Sequence, residues 1–99
     1  MQIQATNSQN FKGLNIDINV RPRLQRQLLR KLNFVPERIS ELADKIKMCE
    51  SSNAADLVVK ATGDVYVIKK GQFLSGEIVQ GRTLREKFLA GLEKVIQLG

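Results

Sequence analysis

Apolar positions along this chain follow two periods, and the switch between them predicts where helices give way to strands. Leu24, Leu28 and Leu32 recur at i, i+4 and i+8 behind Pro22, a residue tolerated in a first turn, so a helix is expected within residues 21–35. After Asn33-Phe34-Val35, Pro36 restarts a helix with Ile39, Leu42, Ala43, Ile46 and Cys49 on its inner face. Its acids, Glu37, Glu41 and Asp44, sit near the start and Lys45 and Lys47 towards the end, the order that the helix dipole favours. Thr83-Leu84-Arg85-Glu86 matches a capping box. Leu84, Phe88, Leu92, Val95 and Ile96 then form one face of a helix running to Leu98.

Between the second and third helices the pattern shortens. A loop over residues 50–53 leads into three strand-like stretches, Asp56–Thr62, Val65–Lys70 and Gln72–Gln80, separated by Gly63-Asp64 and Lys70-Gly71. Treating Gly63-Asp64 as a two-residue turn pairs Val59 with Ile68 and Ala61 with Tyr66. Leu57, Val59, Ala61, Tyr66 and Ile68 then share the core face. Val58, Lys60, Val65, Val67 and Lys69 share the other face, which is apolar enough to need a covering helix or a partner. Residues 2–6 and 14–20 alternate weakly and are expected to add a hairpin. The fold class expected is α+β in one domain over residues 1–99: a small antiparallel sheet of about three to five strands packed with about three helices, in the order β-β-α-α-β-β-β-α.

Composition supports a folded chain, since 42% hydrophobic and 26% charged residues lie far from the signature of disorder. The net charge of +6 is unevenly placed. Residues 21–35 carry Arg21, Arg23, Arg26, Arg30 and Lys31 with no acid, whereas residues 1–20 and 55–81 are each neutral. At about 100° per residue, Arg23, Arg26 and Arg30 fall within about 60° of one another and roughly opposite the leucine stripe. Arg21 and Arg23 also occupy a helix start, where positive charge costs roughly 0.3–1 kcal/mol each. A helix start flanked by arginines suits phosphate oxygens. Arginine is equally a good helix former that keeps a surface soluble.

Missing residue types narrow the chemistry. With no histidine and a single cysteine, Cys49, there is no Ser-His-Asp or Cys-His arrangement and no zinc-thiolate cluster. Gly71-x-x-x-x-Gly76 continues with Glu77-Ile78, where a phosphate-binding loop needs Lys and then Ser or Thr. No cofactor and no enzymatic activity are expected. Cys49 falls on the apolar stripe of its helix and is expected to be a buried, inert thiol. The polar first ten residues lack a signal sequence, no apolar run is long enough to span a membrane, and no glycosylation sequon occurs. These features together suggest a cytoplasmic protein that does not engage membranes.

The order of weak strand, basic helix, antiparallel strands and C-terminal helix is similar to that of small ribosome-hibernation factors, and Asn15-Ile16-Asp17-Ile18 before a basic helix adds to the likeness. That family has one helix between its first two strands, whereas Pro36 begins a second here. The likeness is one of element order and brings no diagnostic motif and no site residues.

Two functions fit the charge. The first is a basic nucleic-acid-binding module, for RNA or a ribosomal surface rather than a DNA operator, with phosphate contacts from Arg21, Arg23, Arg26, Arg30 and Lys31, extended by Arg82 and Arg85. Phe11, Tyr66 and Phe73 are its candidates for stacking on bases, although the pairing above puts Tyr66 and Phe73 on the core face. The second is a protein-interaction module or homodimer that uses the apolar sheet face, with the basic helix docking an acidic partner.

Overall fold

A computed structural model describes residues 13–69 and 76–98. In chain order the elements are β1 (Leu14–Ile16), α1 (Arg21–Lys31), α2 (Pro36–Glu50), β2 (Ala55–Val59), β3 (Val65–Lys69), β4 (Glu77–Ile78) and α3 (Leu84–Leu98). The α+β class holds, and the three helices start where the periodicity and the two prolines predict. The sheet has the spatial order β1-β2-β3-β4 and is mixed instead of antiparallel. β1 pairs in parallel with β2, Leu14 opposite Leu57 and Ile16 opposite Val59, and the strand covers only Leu14–Ile16 of the alternating residues 14–20. Adjacent parallel strands need a long crossover, and α1 and α2 together supply it. The chain leaves β1 after Ile16 and turns at residues 17–20, where Asp17 Oδ1 accepts from Asn19 N at 2.8 Å and Ile18 is exposed. The first half of the expected hairpin, residues 2–6, lies outside the described residues, as do residues 72–75 of the third strand-like stretch, whose described part contains β4.

The β2–β3 hairpin departs from the expected register. Val59 pairs with Val65, Val58 with Tyr66 and Leu57 with Val67. Gly63 takes φ +94, its N–H donates to Lys60 O at 2.9 Å, and Lys60 N–H donates to Asp64 O at 2.8 Å. This is a three-residue loop with a left-handed glycine in its last position, in place of a two-residue turn at Gly63-Asp64. The register moves by an odd number of residues, and because side chains alternate, that exchanges the faces of β3. Ala55, Leu57, Val59, Val65 and Val67 are buried on the core face, and Val58, Tyr66 and Ile68 lie half-buried on the other.

The helix ends follow from local chemistry. α1 ends in paired backbone bonds, Asn33 N–H to Arg30 O at 3.1 Å and Phe34 N–H to Leu29 O at 3.3 Å, with Asn33 at φ 54. This is a Schellman cap, and asparagine is the common substitute for glycine at its left-handed position. Phe34 is left-handed too, at φ 55, which costs a bulky L-residue roughly 1–2 kcal/mol. α2 buries only Cys49 completely; Ile39, Leu42 and Ile46 are half-buried, and Ala43, expected inside, is exposed. α2 lies at the margin of the core, tied to α3 by the Lys45–Glu93 ion pair at 2.8 Å. For α3, Thr83 Oγ1 accepts from Glu86 N at 3.1 Å as the capping box predicts, while the Glu86 carboxylate returns to Arg82 N, one residue before the cap.

α3 carries the largest share of the core. Leu84, Phe88, Leu92 and Val95 are buried against the sheet. Gly91 brings the helix backbone so close to the sheet that a Cβ there would lie 2.4 Å from Leu57 Cδ1. Phe88 is 1% exposed, so Phe88→Ala is expected to lower stability by roughly 3–5 kcal/mol in denaturant melts, and a loss under about 1 kcal/mol would mean that the cavity is not felt. Phe34→Gly should raise stability by up to about 1 kcal/mol in the same assay, because it relieves a left-handed conformation at an exposed position.

Candidate nucleic-acid interface

The exposed face of α1 does not stand alone. Around the helix, at about 100° per residue, Arg26, Arg30, Arg23, Gln27 and Lys31 follow one another across an arc of about 140°. The start of α3 faces that arc. The two enclose an open groove of about 560 Å³ lined by Arg23, Arg26, Gln27, Arg30, Lys31, Asn33, Thr83 and Arg85. Five of these residues are cationic, none is acidic, and the other three carry neutral hydrogen-bonding groups.

Two contacts hold the walls together. Gln27 Oε1 accepts from the backbone N–H of Arg85 at 3.2 Å, which pins the first turn of α3 to the middle of α1 and satisfies an amide that would otherwise be free. At the other end of the groove Arg23 lies against the β2–β3 loop, where a Cβ on Gly63 would be 3.1 Å from Arg23 Nη2. The same glycine that sets the hairpin therefore gives this guanidinium its room. Among the described residues Arg23, Arg26, Arg30 and Lys31 form no ion pair, and Arg85 is 4.0 Å from its own neighbour Glu86. Like charges gathered without acids repel each other, and a bound polyanion relieves that repulsion.

Of the seven cations singled out in the sequence, five meet here and two do not. Arg21 falls among Leu24, Leu28 and Leu32 on the helical wheel. It is half-buried and lines a separate cavity of about 240 Å³ with Leu14, Leu24, Leu28 and Phe88. The wheel position alone separates it from Arg23. Arg82 is exposed just before the α3 cap and does not line the groove. Sequence reasoning missed Gln27, Asn33 and Thr83. Gln27 lies between the arginines and the leucines on the wheel, and Asn33 is a favoured residue for a left-handed helix end, so both carried a signal. Thr83 was legible only as a cap.

Tyr66 is on the outer sheet face, not in the core, with Lys60 Nζ 5.9 Å from its ring centroid. Phe11 and Phe73 lie outside the described residues. Among the described residues no cluster of three or more His, Cys, Asp and Glu is placed to hold a metal ion, and no helix is long and apolar enough to cross a membrane.

Cys49 is fully buried, as its place on the α2 stripe predicts, and its Sγ donates to Gly13 O at 3.2 Å. A Cβ on Gly13 would lie 1.9 Å from Cys49 O, and with φ +83 this position requires glycine. Burial pushes the Cys49 thiol up from 9.0 to about 11, with the charges of Glu50 and Asp56 adding to it.

Comparisons of the chain with protein-family models, curated proteins and solved structures find no significant match.

The raised thiol pKa means that the neutral form of Cys49 stabilises the fold fully below pH 9.0 and that this contribution is lost as the pH rises through about 11. The expected loss is up to about 3 kcal/mol, checked by denaturant melts from pH 8 to 11.5, and Cys49→Ala should lack this part of the pH dependence.

Proposed function

We propose that this chain is a small, basic, non-enzymatic nucleic-acid-binding module whose α1–α3 groove holds phosphate groups of RNA or of a ribosomal surface. The observation that carries this reading is the convergence of Arg23, Arg26, Arg30, Lys31 and Arg85 on one groove without an acid in its lining. Arginines donate in pairs to phosphate oxygens, and Gln27, Asn33 and Thr83 add neutral groups able to bond sugar hydroxyls and phosphate. A helix that reads a DNA operator must enter a major groove, whereas the cationic face of α1 is one wall of a concavity, which supports RNA over an operator. A cytoplasmic location belongs to the same proposal and is supported by a lone, buried, reduced cysteine.

The test is a titration of RNA and DNA oligonucleotides at several salt concentrations. Affinity should fall steeply with salt. Changing Arg23, Arg26 and Arg30 together to Gln should weaken binding to all sequences about equally and flatten the salt dependence by up to about three phosphate equivalents, with little change in stability. Arg21→Gln should retain the parent salt slope. A folded triple variant with unchanged affinity and slope would overturn the proposal. It would leave the outer sheet face, where Ile78 is 45% exposed beside Tyr66, as the better candidate surface for a protein partner.

A further inference from the structure

Phe34, next in sequence to a groove-lining residue, has a placement that the fold does not explain. It is 66% exposed, and it follows directly on Asn33, which lines the groove at the C-terminal end of α1. The Schellman cap accounts for the left-handed backbone of Asn33 but asks for nothing similar at the next residue. Phe34 nevertheless holds φ 55. Val35 N–H donates to Leu32 O at 3.1 Å, so the residue is fastened on both sides, and Pro36 starts α2 immediately afterwards. An aromatic ring is thus presented to solvent, about 3.8 Å along the backbone from a groove-lining asparagine, in a conformation that works against stability.

Strain and exposure at one hydrophobic residue next to a cationic groove share one simple use. We infer that Phe34 is a stacking platform for a base of single-stranded RNA whose phosphates lie in the groove. The inference rests on the nucleic-acid reading above and narrows it from RNA in general to an unpaired strand, since bases in a duplex have no face free for a side chain. The chemistry is complementary. The groove lining has no aromatic side chain and is dominated by cations suited to phosphate, whereas an exposed ring on the residue next to Asn33 can engage any base through its π-face. The other aromatic side chains among the described residues are worse placed: Phe88 is 1% exposed in the core, and Tyr66 belongs to the outer sheet face.

The chain has no tryptophan, so Phe34→Trp introduces a single reporter at the site in question. Binding of a fluorescein-labelled single-stranded RNA, and of the same strand in a duplex, is to be measured by anisotropy for the parent, Phe34→Trp and Phe34→Leu chains. Tryptophan emission is followed during titration with unlabelled strand. Expected are quenching of the tryptophan by single-stranded RNA, near-parent affinity for Phe34→Trp, and a loss of about 5- to 150-fold for Phe34→Leu on the single strand with an unchanged salt slope. Duplex binding should not respond to Phe34→Leu. Circular dichroism of each variant confirms folding, which an exposed position should not disturb. Equal single-strand affinity of the parent and Phe34→Leu chains without quenching would overturn the stacking inference and leave the groove intact. Absence of any salt-dependent RNA binding by the parent chain would instead overturn the reading on which it rests.

Discussion

The close approach of α3 to the sheet at Gly91 is the constraint from which most of the structure follows. With no side chain at that position, the helix settles directly on Leu57 and Val65, and Phe88, Leu92 and Val95 reach the hydrophobic layer on the same side. A rigid helix fixed at its middle is also fixed at its ends. Its first turn is delivered against α1, where Gln27 meets the Arg85 amide, and the groove lies between the two helices beside that contact. A larger residue at Gly91 would therefore disturb the cationic groove as well as the core, although the two are on different parts of the helix.

Electrostatics around α1 run against the usual order of a helix. Its first turn has no acid, and its last carries Arg30 and Lys31, so only the C-terminal charges agree with the dipole. α2, of ordinary design, has Glu37 in its first turn and Lys47 in its last. Most acids near α3 and β4 are engaged outside the groove: Glu93 pairs with Lys45, Glu77 with Lys94, and Asp64 of the β2–β3 loop lies 3.9 Å from Lys87, while Glu86 accepts from Arg82 N and lies 4.0 Å from Arg85. Lys94 holds the Glu77 carboxyl below its ordinary range, and Glu93 raises the Lys45 ammonium. Exposed pairs of this kind add little stability, but they engage carboxylates that do not line the groove. The field in the groove is a product of where the acids are as much as where the arginines are.

The α1–α2 junction joins a structural device to an unexplained one. Asn33 closes α1 by a recognised cap and also lines the groove, so one residue serves both the fold and the candidate site. Phe34 repeats the left-handed backbone without a matching gain in packing. Strain of this kind persists where surrounding structure over-determines it, here a capped helix on one side and a proline-started helix on the other.

Local signals carried the helices. Each has an apolar stripe of helical period and a proline or a threonine cap at its start, and these interactions lie within a turn or two of the residues concerned. Cys49 was legible for the same reason, and so was the separation of Arg21 from Arg23, since both follow from angle around one helix. The faces of β3 were not legible from alternation alone. Alternation is symmetric, and the choice between its two phases came from whether Gly63 opens a two-residue turn or closes a three-residue loop, a difference of loop geometry that reverses every side chain downstream. The parallel pairing of β1 with β2 and the meeting of α1 with the start of α3 depended on contacts between segments far apart in sequence. So the seven cations could be counted from the sequence, but only packing of α3 on the sheet decided that Arg85 joins the arginines of α1 and that Arg82 does not, because a groove is a relation between two surfaces and each helix encodes only its own.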